Sequence, residues 1–170
     1  MVGPSSEQVW HFCGIMLFAL LFAVNRWTSS RGIFIAALWN LTGVILHEFA
    51  HLVAGILLGA KPRGFSVLPT RTADDWSLGN VRFSSINSFN AVPVALAPLG
   101  LAVIAYVIYR SWPLWFTPSL STILALYAVV FVLLYNSLPS RQDLWLACNW
   151  KSILLYGTAA GLACWFVFSK

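Results

Sequence analysis

Charge is what this sequence has least of. Asp, Glu, Lys and Arg make up 9% of its 170 residues, where ordinary soluble domains carry about 25%. That scarcity excludes a fully solvated globular surface. The acids are few enough to name: Glu7, Glu48, Asp74, Asp75 and Asp143. The ten basic residues give a formal net charge of +5 but form no cluster interleaved with aromatics, so nucleic acid is not an expected partner. Cysteine is scarce too. Cys13, Cys148 and Cys164 contain no CxxC pair, which argues against a disulfide framework or a thiolate zinc site and assigns them to packing. There are no internal repeats and no low-complexity tract.

Apolar residues fill the space that charge leaves. They account for 59% of the chain, with a mean hydropathy of +0.79. A membrane span needs about 20 of them in succession. Apolar runs cover about 9–24, 32–60, 91–109, 114–134 and 152–168. The first lacks a basic leader and a small-residue cleavage site, and reads as a retained span. The expected fold is therefore an all-α integral membrane protein with about five transmembrane helices, forming one membrane-embedded domain over 1–170 with its core at about 32–144. Trp10, Trp27, Trp112, Trp115, Trp145 and Trp150 sit at run ends, as interfacial belts do. Trp39 and Trp165 read better as core aromatics.

One long polar segment, 61–89, separates the second and third runs. Within it 65–68 and 81–84 read as short strands around a turn at Leu78-Gly79-Asn80, a small β-hairpin loop. Five alternating spans put this loop and the 139–151 segment on the N-terminal side. Lys and Arg then divide six to four, favouring a cytoplasmic N-terminus and loop. A multi-pass protein of a bacterial or archaeal cell membrane is the expected setting.

The second run carries His47-Glu48-Phe49-Ala50-His51, with no charged residue in its flanks 32–46 and 52–60. Imidazoles four residues apart lie one helical turn above each other, where both reach one zinc ion. Glu48 is placed to act as the base that activates a zinc-bound water. A hydrolytic zinc needs a third protein ligand. The candidates are His11, Glu7, Asp74, Asp75, Asp143 and the cysteines. Asp74 and Asp75 are most simply solvated loop charges, and His11 beside Trp10 is an interfacial residue. Asp143 stands out, because it follows a broken helix at 136–140 in a chain that otherwise keeps acids out of its apolar parts.

Together these residues resemble the site-2 protease family of intramembrane zinc metalloproteases. That family carries HExxH in one core helix and an Asp ligand two core helices later, in an Asn-x-x-Pro…Asp-Gly stretch. The counterparts here are His47 to His51 and Asn136-Ser137-Leu138-Pro139 leading to Asp143. Leu144 replaces the usual Gly, and Ala97-Pro98-Leu99-Gly100 is a reduced form of the family's Gly-Pro-x-x-Asn pattern. The resemblance implies one Zn2+ held by His47, His51 and Asp143, with Glu48 as general base. It implies a substrate that is a transmembrane segment of another protein, unwound for cleavage and added to the edge of the hairpin. Asn90 and Asn136 are candidates to hold substrate or oxyanion, beside the alternative role of helix-end caps. Two other readings stay open: a membrane zinc protein without peptidase activity, binding a client or acting as a regulatory pseudo-enzyme, and a small transporter.

Overall fold

The computed structural model describes residues 5–71 and 76–169, with residues 70, 71, 76 and 77 described through their backbone alone. Asp74 and Asp75 lie outside the described residues. Eight α-helices and two short β-ladders make up the described fold.

Helix α1 (Ser6–Ser30) starts at a capping box in which Ser5 and Gln8 satisfy each other's backbone N–H. The chain then reverses at Gly32, whose φ of 127° suits a residue without Cβ. Helix α2 (Ile33–Trp39) folds back against α1. At Asn40 the chain bends by 77° into α3 (Leu41–Leu57), which carries the histidine pair. Helix α3 ends at Gly59, in the left-handed region, and Ala60 returns its N–H to the Gly55 carbonyl.

The polar segment is an antiparallel ribbon. Strand β1 (Pro62–Ser66) pairs with β4 (Asn80–Phe83), and further out β2 (Thr70–Arg71) pairs with β3 (Trp76–Ser77). The expected hairpin is present but its details differ. The first strand begins earlier, at Pro62. Leu78-Gly79 is a break between β3 and β4 on one arm of the ribbon.

Helix α4 (Ala91–Ala95) and a 3-10 turn (Ala97–Leu99) lead into α5 (Gly100–Trp115). Pro98 removes a backbone donor here, so the third apolar run is broken near Leu96. Leu114, expected to open the fourth run, belongs to α5. Helix α6 (Leu120–Tyr135) starts at a Ser119/Thr122 capping box instead. Helices α7 (Arg141–Ala147) and α8 (Trp150–Phe168) complete the chain.

Helices α1 and α6 run side by side in the same direction. Gly14 admits the ring of Tyr127, Phe18 meets Phe131 edge-on at 5.2 Å, and Phe22 meets Tyr135 at 6.4 Å. The register advances four residues on both helices at each step. Helix α5 returns antiparallel to α6, joined through Leu101, Ala105 and Leu133, with Leu46 of α3 and Ile108 packed on that cluster. Contacts of α3 with α6 fall at the C-terminal end of α6, where Gly43 meets Asn136. Alternating spans make the first and fourth runs antiparallel, which this packing does not follow.

Among the described residues, three helices are long and apolar enough to cross a membrane: Ser6–Ser30, the 97–115 segment and Trp150–Phe168. The bent α2–α3 pair makes a fourth if counted as one span, and α6 is a shorter apolar helix. Five separate spans are not confirmed, because the second run bends sharply and α6, starting only at Leu120, is short. Large apolar side chains cover the outside, and α8 is exposed along nearly its whole length. Trp39 and Trp165, expected in the core, are exposed as well.

The α1–α6 seam yields a direct test. A Cβ at Gly14 lies 2.3 Å from the Tyr127 ring, so Gly14→Val overpacks the seam. Stability in detergent should fall by about 1–3 kcal/mol. Unfolding by denaturing-detergent titration measures it, and an unchanged midpoint contradicts the parallel packing.

Candidate metal centre

Four residues at i, i+4 spacing form one stripe of α3: Gly43, His47, His51 and Gly55. The glycines at its ends let other chain segments approach. A Cβ on Gly43 falls 2.0 Å from Asn136 Nδ2, and one on Gly55 falls 2.2 Å from the Phe83 ring. Gly43 thereby seats the end of α6 against α3, one turn before His47. Gly55 seats strand β4, one turn after His51.

That seating fixes the imidazoles. His47 donates its Nδ1–H to the Asn136 carbonyl at 2.8 Å. His51 donates its Nδ1–H to the Val94 carbonyl of α4, also at 2.8 Å. With both Nδ1 protons committed, each neutral ring turns an unprotonated Nε2 inward. The two Nε2 atoms are 3.2 Å apart. Asp143 closes the triangle, with Oδ2 3.3 Å from His47 Nε2 and Oδ1 3.1 Å from His51 Nε2.

Asp143 owes its position to a helix start. The chain leaves α6 at Asn136, passes Pro139 and begins α7 with a capping box. Ser140 Oγ accepts the Asp143 N–H at 3.2 Å, and Asp143 Oδ2 accepts the Ser140 N–H at 2.6 Å.

Two nitrogen lone pairs and a carboxylate converge here, and acceptors facing acceptors repel unless a cation lies between them. Ligand atoms about 2.0–2.1 Å from a tetrahedral metal are roughly 3.3 Å from each other. The two Nε2 atoms, 3.2 Å apart, fit that geometry, and one carboxylate oxygen of Asp143 lies with them in a group whose ligand atoms are all within 4.8 Å of one another. The carbonyl on each outer Nδ1 is the partner that metal-bound histidines ordinarily use to fix their tautomer. His47, His51 and Asp143 form a group that can hold a metal ion, and no other such group occurs among the described residues. No ion is part of the structure.

Glu48 is buried on the same helix, 8% exposed, directly beneath the ribbon. Gly79 covers it so closely that an added Cβ falls 2.6 Å from Glu48 Cγ and 2.8 Å from Oε1. Sequence reasoning read Gly79 only as a turn residue, and it did not single out Gly43 and Gly55. The glycine spacing around HExxH was the available signal for the latter two.

The other expected residues fall elsewhere. Asn90 is fully buried, and its side chain ties its own loop to the end of α3. Oδ1 accepts from the Asn87 N–H, and Nδ2 donates to the Ser85 and Leu58 carbonyls. Asn136 donates Nδ2 to the Val132 carbonyl, so its link to the centre is its main-chain oxygen. His11 meets the Tyr127 hydroxyl at 3.3 Å, far along the bundle. Cys148 and Cys164 are exposed, and neither belongs to the cluster.

Comparison with protein-family models, curated proteins and solved structures gives no match to this chain. The likeness to site-2 proteases therefore rests on the residues themselves.

The seat at Gly43 makes a prediction separate from the ligands. Gly43→Ala displaces Asn136 and with it the carbonyl that orients His47. Divalent-metal affinity should drop about 10–100-fold, as expected for an outer partner, while Asp143→Ala should lose more. Competitive titration against a chelating dye reads both, and equal affinity in Gly43→Ala removes the seating role.

Proposed function

We propose that the protein is an intramembrane zinc metalloprotease that hydrolyses a peptide bond in or near a transmembrane segment of another protein. The observation that carries this is the inward convergence of His47 Nε2, His51 Nε2 and the Asp143 carboxylate, with buried Glu48 on the same helix. Two imidazoles and one carboxylate leave a tetrahedral position open, as hydrolytic zinc sites do.

Zinc held there would supply Lewis acidity and bring the pKa of a water towards ~7. The remaining work falls to the chain. Glu48 accepts the proton of the attacking water on its carboxylate and passes it to the leaving nitrogen. Asn136 and Val94 keep both imidazoles in the metal-facing tautomer through their carbonyls. Substrate arrives as an extended segment, because helical carbonyls are shielded by their own hydrogen bonds. Strand β4 starts one residue after Gly79, which lies on Glu48, so a strand added to the ribbon edge is delivered to the base.

The short α6 accounts for the depth of the centre. Its 16 residues rise about 24 Å, less than the ~30 Å of a hydrocarbon core. The chain therefore breaks at Asn136 before clearing the membrane, and α7 carries Asp143 at that level. In this reading α1, α5, α6 and α8 cross, and the bent α2–α3 pair enters and leaves on one side. The metal centre and ribbon then lie at the end opposite the N-terminus. Of the nine described basic residues, only Arg110 falls on the N-terminal side. The split is then eight to one, and it favours a cytoplasmic ribbon and an N-terminus on the outside.

Two measurements test these readings. Glu48→Gln should keep full zinc and lose cleavage of reconstituted membrane-helix substrates by about 10²–10⁴-fold. Retained cleavage removes Glu48 as the base. Zinc bound with no cleavage by the wild type favours the zinc protein without peptidase activity. For topology, Ser6→Cys and Arg63→Cys are made in a background lacking Cys13, Cys148 and Cys164. In intact cells an impermeant maleimide should label Ser6→Cys alone, and labelling of both or of Arg63→Cys alone overturns the orientation.

A further inference from the structure

The Val94 carbonyl is the outer partner of His51, and the main chain leaves it available. In a continuing helix it would accept from the N–H four residues on. That residue is Pro98, which has none. The oxygen accepts from His51 Nδ1 instead, at 2.8 Å. Its location then depends on α4, a helix of five residues that is too short to hold itself in place.

Asn90 supplies the missing hold. It is fully buried just ahead of α4. Its Oδ1 accepts the Asn87 N–H at 2.8 Å, while Asn87 Oδ1 accepts the Asn90 N–H at 3.1 Å. This is the same reciprocal device that Ser140 and Asp143 use. Asn90 Nδ2 donates to the Ser85 carbonyl at 2.9 Å and reaches the Leu58 carbonyl, at the end of α3, at 3.5 Å. Ser85 is bound to that end too, its N–H on the Ala60 carbonyl at 3.0 Å. One turn on, the Asn90 carbonyl accepts the Val94 N–H at 3.0 Å. The tie closes on itself: along α3 from His51 to Ala60, across to Ser85 and Asn90, along α4 to Val94, and back to His51. Helix α4 also packs against α7, which carries Asp143, and Ala91, Val94 and Ala95 are buried.

We infer that Asn90 is a positioning residue for His51. Its side chain sets α4 on the last turns of α3, so that the Val94 carbonyl meets Nδ1 and Nε2 faces Asp143 and His47. The consequence for zinc rests on the metal-centre reading, whereas the hold on the ring does not. His47 is the internal comparison, because its outer partner is the Asn136 carbonyl at the end of α6, away from Asn90 and α4. A residue that served the fold alone would loosen both rings or neither.

The test is side-chain NMR of the full chain carrying isotope-labelled histidine, with zinc and after chelation, beside a zinc titration against a competing chelator. An Nδ1–H bonded to a buried carbonyl should exchange slowly with water. His51→Gln identifies the His51 signal by its loss. In Asn90→Ala the His51 Nδ1–H should lose its protection while that of His47 keeps it, and zinc affinity should fall about 10–100-fold. If Asn90→Ala does not fold, Asn90→Ser keeps one hydroxyl donor, shortens the reach to Leu58 and should show the same change in smaller measure. Unchanged protection of His51 in a folded variant overturns the proposal. Equal loss at both histidines does so as well, and so does a wild-type His51 signal without protection. Loss confined to His51 in a chain that binds no zinc supports the role of Asn90 and removes the metal-centre reading.

Discussion

Three electron-pair donors aimed at one another inside an apolar bundle set the terms for the rest of this structure. His47 and His51 have given their outer protons to carbonyls, so their inner nitrogens face a carboxylate with nothing of their own to share. Such an arrangement persists where a cation fills the gap. Each element around it exists to hold one of the three groups, and the locations of those elements follow from that duty.

The local devices are simple. Glycines one turn outside each histidine remove the Cβ that would keep neighbours away. One admits the end of α6 and the other admits β4. Because Asn136 caps α6, its carbonyl is free of the helix ladder and available to His47. Ser140 starts the next helix and orients Asp143 through a reciprocal cap. A helix end and a helix start, four residues apart, thus supply one outer and one inner partner of the centre. Gly79 brings the ribbon onto Glu48.

The bundle has two chemically different ends. Parallel packing of α1 and α6 sends the N-terminus away from the ribbon, and the basic residues gather with the ribbon. The opposite end keeps Arg110 beside a small cavity with an acid across it. One end carries a group that can hold a metal ion.

Much of the centre was legible in the sequence, because a helix has a fixed period. HExxH at i and i+4 defines a shared face without reference to the rest of the chain, and a lone acid after a helix break in an apolar chain is conspicuous. Both histidines of the group that can hold a metal ion could be read from spacing alone, and Asp143 from its rarity. The apolar runs were legible too, but their directions were not. Hydropathy records that a segment avoids water and carries no information about a 77° bend or about which helix lies beside which. Asn90 and Asn136 were noticed for their polarity, yet their partners depend on loops meeting in space. Spacing along one helix is a local property that the sequence determines. The approach of Asn136, Val94 and Asp143 to that helix, and the parallel course of α1 and α6, depend on close packing at residues without side chains, which only the tertiary structure decides.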